Sequence, residues 1–168
     1  MIPITSHTIA NALGEKFGDL IIAVSHPDDM LTITINKNSN TEIIQWLMEH
    51  PVFQFRFLTD LCGVHYPDQA GEEFGVVYHL HSLGNNIRIR LKLFADAGNP
   101  SVKSITSLFQ SANWMERETY DFFGIRFEGH PNLKRILNVD NMNYFPLQKQ
   151  YPLEDQGRED KDDKYFGR

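Results

Sequence analysis

Two groupings of residues in this chain have types and spacing that could do chemistry. His79 and His81 in YHLHS stand two residues apart, so on a strand both imidazoles point to one side. Joined by His65 and His130, they could hold zinc with a position left open for water. An H-x-H pair is only a spacing match and the sequence places no third ligand, so a polar sheet face with two ordinary histidines is the better account. The second grouping is Glu116, Glu118 and Asp121 in MERETYD, candidates for acid–base catalysis. On a helix Arg117 and Asp121 lie one turn apart and can pair, while Met115, Thr119, Phe122 and Phe123 share a face. Glu116 and Glu118 then diverge by about 200°, a poor arrangement for two carboxylates acting on one bond. A charged helix end pinned by ion pairs fits these residues better.

Other chemistries lack their parts. The chain has no G-x-x-x-x-G-K-[ST], G-x-G-x-x-G, C-x-x-C or G-x-S-x-G, which removes the usual nucleotide, iron–sulfur and serine-hydrolase signatures. Cys62 is the sole cysteine, so the chain alone cannot form an internal disulfide or ligate a four-cysteine cluster. The net charge of −6 and the lack of a dense Lys/Arg patch argue against nucleic-acid binding. The longest aliphatic run, Leu20 to Val24, is far too short to span a bilayer, and the N-terminus lacks the pattern of a secretory signal. A cytoplasmic location is expected, with membrane contact only through a partner.

The elements that must position these residues are legible from periodicity. Ser6 is placed to cap a first helix through Ile9, Leu13 and Phe17, with Gly18 ending it. DLIIAVS and MLTITIN read as two strands of a hairpin around HPDD. SNTEIIQWLMEHP reads as a second helix with Ile43, Ile44, Leu47 and Met48 on one side. Three strands follow: FQFRFLTDL, with Phe53, Phe55, Phe57 and Leu61 facing inward, then GVVYHLHSL and NIRIRLKLF as a hairpin around GNN. A helical pattern through Val102, Ile105, Leu108 and Phe109 spans 101–112, and the MERETYDFF helix should stop at Gly124.

The expected class is α+β: a two-layer sandwich ordered helix, two strands, helix, three strands, with a mixed sheet, then a helix and an extended C-terminal arm. Residues 1–137 form the domain and 138–168 the arm. Six acids against three bases lie between Glu154 and Lys164, and disorder is expected at that end.

The stretch ERETYDFFGIRFEGHPNLKRIL closely resembles the signature of the thirty-kilodalton, or C, subunit of respiratory complex I, the proton-pumping NADH:quinone oxidoreductase. Its elements stand here as Glu116-Arg117-Glu118, Tyr120-Asp121, Phe123-Gly124-Ile125, Phe127, His130-Pro131, Leu133, Arg135 and Leu137. The resemblance spans roughly residues 5 to 153 and implies the same order of helices and strands. It implies a scaffold with no cofactor of its own. Flavin mononucleotide (FMN), iron–sulfur clusters, NADH and quinone would be bound elsewhere in the assembled complex. The implied partners are the larger D, or forty-nine-kilodalton, subunit and neighbouring iron–sulfur subunits of the peripheral arm, on the cytoplasmic side of the bacterial membrane. Glu116, Arg117, Glu118, Tyr120, Asp121, Gly124, Arg126, His130, Pro131, Lys134 and Arg135 are the implied interface residues, with Arg126, Lys134 and Arg135 candidates for charge-assisted bonds. A related hydrogenase or ferredoxin:quinone complex would carry an equivalent subunit. A stand-alone metallohydrolase built on His79 and His81 is the alternative from another class.

Overall fold

The computed structural model describes residues 4–151. Helix α1 (Ser6–Phe17) buries Ile9, Leu13 and Phe17, and Gly18 ends it with a positive φ of 48°. Its cap is Thr5 rather than Ser6. The Thr5 hydroxyl accepts the Thr8 N–H while the Thr8 hydroxyl accepts the Thr5 N–H, a reciprocal box that Ser6 could not close from inside the helix.

Strands β1 (Ile21–Ser25) and β2 (Leu31–Ile35) form the expected antiparallel hairpin. Helix α2 (Asn40–Glu49) follows and buries Ile43, Ile44 and Leu47. Strands β3 (Phe57–His65), β4 (Phe74–Ser82) and β5 (Ile87–Ala95) complete a sheet ordered β1-β2-β5-β4-β3. The β2–β5 pair is parallel and the other three are antiparallel, so the sheet is mixed. Register aligns Ile33 with Leu91, Leu91 with Tyr78 and Tyr78 with Leu61, one continuous apolar row beneath the helices. The fold is therefore the α+β sandwich that the periodicity and the resemblance implied.

Two segments differ from the sequence expectation. Phe53 and Phe55 are buried, but from a loop: the Phe55 N–H donates to the Leu47 carbonyl, the His50 ring accepts the Phe53 N–H, and Gln54 takes a positive φ of 47°. The strand begins only at Phe57, which is 47% exposed, and its register slips between Leu58 and Asp60. Alternate burial marks which side chains reach the core, and a pinned loop achieves it as well as a strand.

The 101–112 segment is likewise not one helix. Ser101–Lys103 is a short strand, β6, paired parallel with β7 (Arg126–Glu128), and a single turn around Ile105 leads into helix α3 (Ala112–Phe123). Val102, Ile105 and Phe109 are all buried, so their spacing recorded burial correctly and the element wrongly. The expected disorder at the chain's end lies outside the described residues.

A clasp between the last helix and the arm as candidate interface

Helix α3 directs Glu116 and Thr119 inward, and it approaches β3 where Gly63 leaves room. A Cβ on Gly63 would lie 2.7 Å from the Phe123 ring and 2.8 Å from the Thr119 methyl group, so only glycine admits the helix this closely. Gly124 then ends α3 in the left-handed region, φ 81°, its N–H donating to the Tyr120 carbonyl at 2.8 Å.

Three charged residues of the signature face three environments. Glu116 is fully buried; its carboxylate accepts the Ser104 hydroxyl at 2.6 Å and the Ile105 N–H at 2.7 Å. Burial pushes its pKa up to about 7 against those two bonds. Glu116 ties α3 to the Ser104–Ile105 turn. Asp121, also fully buried, points to the arm instead, accepting the N–H groups of Ile136, Leu137 and Asn138 at 2.8–3.0 Å and Arg135 Nη1 at 2.8 Å. Burial opposes its charge, but the three amides and the guanidinium outweigh it and hold the carboxyl well below the usual range. Glu118 is exposed. The three carboxylates therefore do not converge on a common point.

The expected Arg117–Asp121 pair is replaced by Arg135–Asp121, a salt bridge whose Arg side chain is 9% exposed. Arg117 stacks on Trp114 and donates to the carbonyls of Lys134 and Arg135. Arg135 also donates to the carbonyls of Asp121, Met142 and Tyr144 and lies over the Phe145 ring. Both arginines thus work on main-chain oxygens of the returning chain, partners that a side-chain spacing rule does not register.

The arm closes back on α3. Leu147 N–H donates to the Phe122 carbonyl, Gln148 Nε2 to the Phe123 carbonyl, and Phe145 packs on Tyr120 and over Gly124. The His130 Nδ1 accepts the Asn132 N–H and its Nε2 lies 3.1 Å from the Asn113 carbonyl oxygen, so the turn before Pro131 is tied to the start of α3. Phe145 and the Ser104–Ile105 turn escaped sequence reasoning, because only the folded chain brings them to the signature. Arg126, Pro131 and Lys134 are exposed, and Glu118, Arg126 and Lys134 enter no ion pair among the described residues. Trp114 (58%), Leu137 (68%) and Val139 are exposed as well.

Two outcomes test the clasp locally. Gly124→Ala is expected to lose about 2 kcal/mol, roughly 4–8 °C in Tm, because the new Cβ is strained at this φ and would stand 2.6 Å from the Phe145 ring. An unchanged Tm would refute that packing. The second concerns His65, whose Nδ1 accepts the Lys149 N–H at 2.9 Å. Burial, then the Lys149 charge, lowers its pKa below the ordinary 6.5, with Glu73 opposing. The unfolded chain therefore takes up the proton more readily. This contact contributes fully above pH 6.5 and is lost as pH falls through the lowered folded value. The amide protection factor of Lys149 should drop on acidification from neutral pH, and a constant one would show that the bond does not need a neutral ring.

The four histidines considered for a metal each meet other neighbours. His65 stacks on Phe74 and His130 sits at the α3 turn, while His79 accepts from Arg90 Nε and His81 lies against Phe57. Among the described residues no group of three or more His, Cys, Asp or Glu is placed to hold a metal ion, and no helix is long and apolar enough to cross a membrane.

Fold and clasp define a class: a two-layer α+β domain whose last helix fastens an extended arm. Residues 33–157 match the family model described as "Respiratory-chain NADH dehydrogenase, 30 Kd subunit", and the chain belongs to that family. It is 42% identical over 142 residues to the second C-type subunit of the NADH-quinone oxidoreductase of Rhizobium etli, covering 83% of this chain and 73% of that relative. It spans 61 to 66% of the length of further curated C-type relatives from Methylobacterium and Methylorubrum. Among solved structures, a trypsin-resistant fragment of Nqo5 matches with a TM-score of 0.65 and 30% identity over 77% of this chain and all of the fragment. A chain of the archaeal membrane-bound sulfane sulfur reductase shares the fold, with a TM-score of 0.70 at 18% identity over 88% of this chain and 85% of that one.

Proposed function

We propose that this chain is a non-catalytic scaffold in the peripheral arm of a membrane-bound NADH:quinone oxidoreductase, supporting electron transfer from NADH to quinone coupled to proton translocation. It docks on the larger D, or forty-nine-kilodalton, partner and on neighbouring iron–sulfur subunits at the cytoplasmic face of the membrane, and FMN, clusters, NADH and quinone are bound by its partners. The observation that carries this reading is the clasp. Asp121, Arg117 and Arg135 of the signature are turned onto the chain's own arm, while Trp114, Leu137, Val139, Arg126 and Lys134 are exposed. Such an arrangement fixes a surface and assembles no reaction centre.

The test is a mild-detergent pull-down of the tagged chain from its source membranes, with partners identified by mass spectrometry and NADH:quinone activity assayed in the eluate. D-type, flavin and iron–sulfur subunits with quinone-linked activity are the expected result. Recovery of the chain alone, without activity, would overturn the proposal. Because the fold is shared with a chain of another respiratory membrane complex, an equivalent place in a hydrogenase or ferredoxin:quinone complex is the second reading. Co-purifying partners without flavin and NADH-oxidising subunits would favour it.

A further inference from the structure

The free edge of the sheet carries a second surface, distinct from the outward face of the arm. β3 is the outer strand, nine residues long and paired only with β4. Among the described residues none of its backbone groups from Phe57 to His65 makes a backbone bond outward. The opposite edge, β1, is five residues long and bulged between Ile21 and Ala23, which makes it a poorer template.

Two recesses of about 360 Å³ each run along the β3 edge and meet at Gly63, Phe123 and Leu147. One touches Asp60, Leu61, Cys62 and Gly63 in succession, and the other touches Gly63, Val64 and His65. Successive residues of a strand point to opposite faces, so a recess that meets every one of them meets the main-chain edge itself. Its far wall is apolar, formed by Phe122 and Phe123 of α3 and Leu147 of the arm. Its ends differ in charge: Asp60 and Glu118 stand at one, Lys149 at the other.

We propose that this recess takes an extended segment of a neighbouring subunit, which adds to β3 as a sixth strand. The unpaired edge demands main-chain donors and acceptors at strand spacing, which only an extended polypeptide supplies. The walls set its side chains: a basic residue against Asp60 and Glu118, an apolar one against Phe123 and Leu147, and an acidic one against Lys149. In the chain's own tail, residues 152–168, large apolar side chains stand only near the two ends, at Leu153, Tyr165 and Phe166, and the cross-link position separates that segment from a neighbour's. A second copy would bring its own α3 and arm walls to the same notch. Leu147 belongs both to the recess and to the clasp, so a strand seated here continues the arm-side surface. This inference deepens the scaffold reading and rests on it.

Cys62 lines the recess and is the chain's sole cysteine, so it reports on occupancy without engineering. Alkylation by N-ethylmaleimide is measured on the purified full chain and on the complex recovered by pull-down, and a benzophenone maleimide on Cys62 supplies the cross-link. Alkylation at least tenfold slower in the complex, with cross-links falling on one segment of another subunit that carries the basic, apolar, acidic order, is the expected result. Equal rates would overturn the sixth strand, as would cross-links to residues 152–168 or to a second copy. If partner subunits co-purify and Cys62 still reacts at the free rate, the strand fails and the scaffold stands. If no partner co-purifies, both fall.

Discussion

Replacing Asp121 by Ala is expected to destabilise the chain by about 3–5 kcal/mol and to release the arm from Arg135 onward. The carboxylate is buried and holds three consecutive amides and the Arg135 guanidinium. Removing it leaves those N–H groups without an acceptor and strands a cation in a site that is 9% exposed. Arg135 in turn holds the carbonyls of Met142 and Tyr144, so the loss propagates along the arm. Asp121→Asn keeps the shape but loses the charge, and should fall between wild type and Ala. Denaturant unfolding gives the stability change. Trypsin gives the local readout, since cleavage after Lys134 and Arg135 should accelerate tenfold or more while the sheet stays intact. Unchanged cleavage would show that Asp121 does not fasten the arm. The pH dependence has a definite sign as well. A carboxyl held below its ordinary 3.8 binds its proton less readily in the folded state, so its contribution is present above pH 3.8 and lost as pH falls further.

Much of this molecule could be read before folding, and the failures have physical causes. The β5 strand alternates cleanly, Ile89, Leu91 and Leu93 buried between the less buried Arg88, Arg90 and Lys92, so period and burial coincide there, whereas β4 is buried at every position but His79. Gly124 was legible as a helix end because left-handed φ selects a residue type. Periodicity misread 53–56 and 101–112 because it reports burial, and a pinned loop or a short strand followed by one turn buries side chains at the same spacings. The site was legible as a dense signature but not as a mechanism. Asp121 has a cation one turn away in Arg117, yet pairs with Arg135, because the main-chain amides of 136–138 come with it, while Arg117 is taken up by the carbonyls of Lys134 and Arg135. Sequence spacing ranks neighbours along a helix and is blind to a chain that returns from fourteen residues away.

Glu116→Gln is expected to remove a pH dependence that runs opposite to that of Asp121. Glu116 is enclosed by α3, β6 and the Ile105 turn, and its bonds come from a hydroxyl and one amide, with no cation bonded to it. Burial therefore wins, and the folded state keeps the proton up to about pH 7, against 4.5 for the ordinary group. Between those values the folded chain binds more protons than the unfolded one, so stability falls as pH rises, by about 3 kcal/mol across the window. Glutamine reproduces the neutral acid: its oxygen accepts the Ile105 N–H and its amide donates to Ser104 Oγ, whose own proton can turn to Thr106 Oγ1. Wild type and Glu116→Gln should therefore unfold at similar denaturant concentrations near pH 5, and the variant should be the more stable above pH 7. Parallel profiles for the two proteins would place the ionisation of Glu116 back in the ordinary range and remove burial as its governing influence. The crossing profile would instead show that α3, the helix carrying the whole clasp, is seated on the sheet most firmly when one proton is held inside it.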